Sequence, residues 1–297
     1  MDNTIIETSS SVSQTILDSI NQIIGSLFSS IDTTIYDVLD NLVFTDISII
    51  HDNFLSRLIG TSSTNGLILI ANALLLGFSL YYCFRLLYSK FVYIEIEPPY
   101  QFIFKLIIFG VAINSSYFIC EKLIYLNSLI SSSILEIGKN VFGQEISFSS
   151  FIFNINSIIS IENENFNLFS FDGLLKSFIS TSFINLLFSY ALRYIMIKVF
   201  ALLTPFSILT LITHPTSVFF KSWLKTLISL LIMQSFIAII LLIIFSLNFN
   251  LENIFSKLIC IGSIYALVRA NGYLQHLIGG ISTDISTNIS FMKNLIK

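Results

Sequence analysis

Apolar positions in this chain gather into long runs separated by short polar connections, and the clearest run, Thr226 to Leu247, contains no charged residue. At a rise of about 1.5 Å per residue it makes a helix of about 33 Å, enough to cross a hydrocarbon core of about 30 Å. Four further spans are predicted on the same criterion. The first covers about Leu67 to Leu87, where Arg85 is the sole charge and lies near the end. The second covers about Phe102 to Cys120, with Lys105 near one end. The third lies in the apolar stretch Leu174 to Ile212, which is longer than one crossing requires and leaves no room for a turn between two. We read it as one span from about Ser177 to Leu203, bent or ended at Pro205, then a short interfacial or re-entrant segment to Ile212. The last, about Ile254 to Val268, is short and carries Lys257 near its start.

The polar stretches carry a different pattern. From Ile16 through Ile20, Ile24, Leu27, Ile31 and Ile35 to Leu39, apolar residues recur every three or four positions with Ser and Asp between them. That is the signature of one or two amphipathic helices. No Lys or Arg precedes Asp52, so a basic secretory signal is not expected there. Glu121 to Gly173 is rich in Ser, Asn and Glu yet studded with Phe and Ile. It reads as too polar to span, so short helices near the membrane are expected, with a strand as the alternative for Ser147 to Asn156.

Composition reinforces the membrane assignment: hydrophobic residues make up 54% of the chain and charged ones 11%, with a mean hydropathy of +0.83. Soluble domains carry about 25% charged residues. The expected fold is therefore an all-α polytopic membrane protein with about five transmembrane helices, an N-terminal amphipathic helical region and a large loop between helices two and three. The layout is 1–60 amphipathic, 67–120 the first two spans, 121–173 the loop, 174–270 three further spans and 271–297 the tail. Lys90, Lys221, Lys225, Arg269, Lys293 and Lys297 fall on one side of a five-span layout. The preference for cytoplasmic Lys and Arg then places the N-terminus and central loop outside and the C-terminus inside.

Within the spans, Arg193 and Lys198 stand out because a charge at mid-membrane costs about 2.5–3.5 kcal/mol even on lenient insertion scales. Either the two line a polar conduit, or the span is shifted so that both reach headgroups. Pro205 and Pro215 bracket a hydroxyl-rich segment, either a hinge or a plain helix-to-loop transition. Trp223, between Lys221 and Lys225, has the position of an interfacial anchor, with contact to a partner as the alternative. His51, His214 and His276, and Cys83, Cys120 and Cys260, are too scattered for a metal site, a nucleophilic site or a disulfide scaffold. No glycine-rich phosphate loop occurs. We expect no enzyme, no metal and no cofactor.

The C-terminal half carries a series of motifs: Ala191-Leu-Arg-Tyr-Ile-Met-Ile-Lys198, Leu203-Thr-Pro-Phe206, Pro215-Thr-Ser-Val-Phe-Phe-Lys-Ser-Trp223 and Leu277-Ile-Gly-Gly280. In this order they resemble the TrbL-type polytopic inner-membrane proteins of bacterial type IV secretion and conjugation systems, over roughly Leu174 to Ser282. The resemblance implies a multi-copy, non-enzymatic channel subunit. It would work with other secretion-channel subunits and secretion ATPases and contact transferred DNA or protein transiently. It also implies that Arg193, Pro205 and Trp223 occupy the family's basic-helix, proline and tryptophan positions. A small-solute transporter or pore is the competing expectation, one that predicts binding or flux by the isolated chain.

Overall fold

A computed structural model describes residues 38–60, 66–93, 95–151, 154, 171–213, 216–247 and 254–279, together with Ser19 and Gln22. All regular structure among them is helical. After a helical stretch at residues 38–43 and a 3-10 turn at Ile47–Ile49 come α1 (Asn53–Ile59), α2 (Leu67–Val92), α3 (Pro99–Asn114) and α4 (Ser116–Phe142). Then follow α5 (Phe171–Leu209), α6 (Ser217–Ser246) and α7 (Ile254–Ile278). Among the described residues, α2, α4, α5 and α6 are long and apolar enough to cross a membrane. The chain is a multi-pass helical membrane protein of that type.

α5 is the hub, packing against each of the other six labelled helices. Its inward stripe recurs every three or four residues through Leu175, Ile179, Phe183, Leu186, Tyr190, Arg193, Ile197, Phe200 and Thr204, all buried. This is the spacing that keeps one face of a helix on its neighbours. Three apolar clusters divide that face. The N-terminal part packs on Met233, Ile237 and Leu241 of α6 and on Ile264 and Leu267 of α7. The middle packs on Leu227 and Leu230 of α6, Cys120 and Ile124 of α4, and Ile49 and Ile50. The far end meets Ala71 of α2 and Phe102 and Ile113 of α3.

Local chemistry sets the boundaries. Pro99 opens α3 at its first turn, where a missing N–H costs nothing. Gly143 closes α4 at φ 69°, its N–H donating to the Lys139 carbonyl, a left-handed cap that glycine adopts without strain. α2 and α3 form an antiparallel hairpin in which Tyr82 stacks on Phe102 at 3.8 Å between centroids. Lys105 pairs with Glu97 beside the turn, and Asn72 donates to Asn114 at the other end, 3.2 Å.

Several expectations change. The second span is interrupted at Ser115: Asn114 Nδ2 donates to the Gly110 carbonyl at 2.7 Å, and Asn-Ser-Ser is a run whose side chains compete with the helical backbone. α3 is consequently a short apolar helix, below the length of the four candidate spans. The expected loop from Glu121 is helix as far as Phe142. Asn127 and Ser131 face protein, while Ser132 and Ser133 donate to the Leu129 carbonyl of their own helix, so a segment of modest hydropathy remains regular. Residues 148–151 are helical, not extended. Pro205 lies inside α5, which continues to Leu209 instead of ending. α7 extends to Ile278, through the start of the expected tail. The tail beyond Gly279, Pro215, His214 and, in the amphipathic N-terminal region, residues 1–18, 20, 21 and 23–37 lie outside the described residues.

Candidate functional site

Arg193 occupies a core position of the α5 stripe and is fully buried. A guanidinium there needs acceptors, because an unsatisfied charge in a low-dielectric interior costs several kcal/mol. Two are supplied by backbone. Nε donates to the Leu230 carbonyl of α6 at 2.7 Å, and Nη1 donates to the Val43 carbonyl at 2.9 Å. Val43 is the last helical residue of the 38–43 stretch, so the guanidinium sits where helix-terminal carbonyls concentrate partial negative charge. Nη2 and the nearby Tyr190 hydroxyl are buried without a hydrogen-bond partner among the described residues.

Next to this contact lies a seam of neutral polar side chains. Gln234 of α6 accepts at Oε1 from Thr45 Oγ1, 3.1 Å, and from Asn127 Nδ2 of α4, 3.2 Å. Its Nε2 donates to Ser131 Oγ at 2.8 Å. Ser235 Oγ donates to Asn127 Oδ1 at 3.4 Å, and Ser131 Oγ passes its own proton to the Ser128 carbonyl, 2.9 Å. All five residues are buried. Gln234 lies near the centre of the uncharged run Thr226 to Leu247, roughly 12 Å from its start by helix rise. In the irregular backbone at Phe44 to Asp46, Thr45 is buried against Gln234 while Asp46 is exposed.

The other predicted site residues separate into two groups. Lys198 is partly buried, its ammonium 3.5 Å from Asp52 Oδ2 and 5.0 Å from the Tyr194 ring centroid. Asp52 also caps α1 by accepting from the Phe54 N–H. Lys198 therefore reaches the segment that feeds Val43 to Arg193, but it is not part of the seam. Pro205 is buried in α5. Trp223 is turned inward, 4% exposed, with Nε1 donating to the Phe200 carbonyl at 3.0 Å. An anchor would present its ring to headgroups; this ring fills space between α5 and α6. Lys221 and Lys225 remain exposed beside it.

Sequence reasoning passed over Thr45, Asn127, Ser131, Tyr190 and Gln234. The signal for Gln234 was available: it is the one amide within the uncharged run, and lipid-facing positions do not favour amides. Asn127 and Ser131 were hidden because the same polarity that marks an inward face had argued for a loop. Among the described residues no group of three or more His, Cys, Asp and Glu side chains is placed to hold a metal ion. No protein-family model matches the chain, and neither a curated protein nor a solved structure matches it.

Proposed function

We propose that the chain is a non-enzymatic channel subunit of a type IV secretion or conjugative transfer machine, passing DNA or protein across the cytoplasmic membrane. The reading begins from the ordered motifs of the C-terminal half. What supports it most is that three of these motifs pack together: Ile197, Leu203 and Trp223 belong to one apolar cluster, and Trp223 Nε1 donates to the Phe200 carbonyl, which lies between the first two. About two α-helical turns further back, Arg193 donates to the Leu230 carbonyl of α6, one turn before Gln234 of the polar seam. A buried guanidinium with no carboxylate partner among the described residues, beside neutral amides and hydroxyls, suits a polar substrate path or a contact completed by another subunit. Copies of the chain, other channel subunits and secretion ATPases are the partners of this reading, and lipid covers the remaining apolar surface.

Arg193→Leu provides the test. The change frees the Leu230 and Val43 carbonyls and also removes a buried charge that has no carboxylate partner among the described residues, so a loss of about 1–3 kcal/mol is expected and transfer is compared at matched protein abundance. Conjugative transfer in a complemented deletion strain should fall at least tenfold. Transfer at wild-type level would reject a functional charge. Solute flux through vesicles containing the chain alone would replace the secretion reading with a small-solute pore.

The proposed orientation keeps the N-terminus outside and the C-terminus in the cytoplasm of a bacterial cell. Gly138 of α4 lies beside Leu242 near the end of α6, and α7 starts after that end and runs back. Cysteines at Asn140 and Lys293 should therefore react from opposite sides, in a background with Cys83 replaced. Labelling of Asn140 in intact cells and of Lys293 only after permeabilisation is expected. The reverse pattern would invert the topology.

A further inference from the structure

The first turns of α6 and the facing turn of α5 enclose a cleft of about 360 Å³, within the size range of ligand clefts. Its walls are apolar: Phe200 and Leu203 from α5, Phe219 and Trp223 from α6. Its rim is polar, with Ser222, Lys225 and Thr226. Lys221 precedes Lys225 by one turn on the same helix, so the two ammonium groups share an edge. Both lysines are exposed. Lys105, Lys122, Lys139 and Lys198 each lie within ion-pair distance of an acid, whereas Lys221 and Lys225 pair with no acid among the described residues.

The hydrogen-bonding inventory narrows what the cleft accepts. The Trp223 N–H is committed to the Phe200 carbonyl, and the Thr226 hydroxyl donates to the Ser222 carbonyl at 2.9 Å. The donors left at the rim are the Lys225 ammonium and the Ser222 hydroxyl, with the exposed Lys221 one turn before Lys225 on the same helix. They are cationic or neutral donors above an aromatic and aliphatic wall, at the start of the most apolar of the candidate spans among the described residues. A ligand that satisfies both parts is an amphiphile with an anionic oxygen-rich head.

We propose that this cleft binds an acidic phospholipid, its phosphodiester on Lys221, Lys225 and Ser222 and the upper part of one acyl chain along Phe200, Leu203 and Phe219. Such a lipid would hold the α5–α6 contact at the turn preceding Pro205. Each lysine near an anionic headgroup contributes about 1 kcal/mol, or about fivefold in affinity. The pair is worth about 25-fold.

The test uses the purified full chain in uncharged detergent, titrated separately with phosphatidylglycerol, phosphatidylcholine and inorganic phosphate, with native mass spectrometry and thermal unfolding as readouts. Phosphatidylglycerol should bind and raise the unfolding temperature, while the other two should not at matched concentration. Lys221→Gln with Lys225→Gln should weaken phosphatidylglycerol about 25-fold. Lys139→Gln, on α4, should leave it unchanged. Leu203→Trp, which keeps both lysines and fills the apolar wall, should weaken it at least tenfold. Comparable binding of phosphatidylcholine, undiminished binding by the double variant or by Leu203→Trp, or inorganic phosphate matching the lipid would each overturn the proposal. The last of these would mean a phosphate-ion site in place of a lipid site.

Discussion

α2 and α6 are both apolar helices long enough to cross a membrane, yet within their most apolar windows 6% of α2 is buried inside the chain against 61% of α6. Mean hydropathy orders them the same way, 2.0 and 2.9, but that difference is too small to account for the contrast in packing. What separates them is where polar atoms sit. α6 places Thr226, Ser229, Gln234 and Ser235 on faces that meet α4 and α5, and all are buried. α2 shares one amide pair, Asn72 with Asn114, which is exposed. Between helices in lipid there is no hydrophobic drive for one apolar face to leave the tails for another. Packing and polar contacts must supply it, and only α6 carries them in number. The α2–α3 hairpin consequently turns Leu76, Leu80, Phe84 and Phe91 outward, a surface suited to lipid.

The sharpest way to break the contrast is to remove the seam. Gln234→Leu deletes three hydrogen bonds at once and leaves Thr45, Asn127 and Ser131 short of a partner. Each orphaned buried group costs about 1–3 kcal/mol, reduced where hydroxyls find other partners. A loss of about 2–4 kcal/mol in unfolding free energy in detergent is expected. Asn72→Leu, the matching change on α2, should cost about 0.6 kcal/mol, the average for polar contacts between membrane helices. Equal losses would mean that the seam contributes no more than a surface amide pair.

The same contrast explains how far the sequence alone carries. Runs of apolar residues located α2, α5 and α6 well, because hydropathy reports transfer out of water and these helices satisfy that criterion whatever they touch. The long stretch from Leu174 was read as one span, bent or ended at Pro205, and the structure has one helix that runs through Pro205 to Leu209. A proline removes one N–H, and whether the helix stops or bends depends on neighbours such as Trp223, which reaches Phe200 one turn earlier. α4 was missed for the opposite reason. Glu121, Asn127 and Ser131 to Ser133 read as loop residues when averaged over a window. Asn127 and Ser131 face Gln234, while Ser132 and Ser133 return their hydroxyl protons to the Leu129 carbonyl. Arg193 was recognisable as anomalous, and its spacing from Tyr190 and Ile197 places it on the inward stripe. Its acceptors were not recognisable, since both are backbone carbonyls that any residue type supplies.

Two glycines offer the finest test of the difference between a lipid-facing and a packed helix. A Cβ on Gly77 of α2 meets nothing within 4 Å, whereas one on Gly138 of α4 falls 1.9 Å from Ile146 Cδ1 and 3.1 Å from Cγ1. Alanine in a helix interior is favoured over glycine by about 0.5–1 kcal/mol. At Gly77 that gain should appear undiminished. At Gly138 the buried Ile146 has to move, and overpacking of this kind costs about 1–3 kcal/mol. Gly77→Ala should therefore raise the unfolding temperature slightly and Gly138→Ala lower it, the two differing by the overpacking cost of about 1–3 kcal/mol. Trimming the obstructing side chain with Ile146→Val removes the atom responsible for the closest contact. In that background the penalty at Gly138 should shrink. If it persists, the cost arises from α4's contact with Leu242 on α6, 3.6 Å from the added carbon, and the tight fit belongs to the helix pair instead of the loop that crosses it.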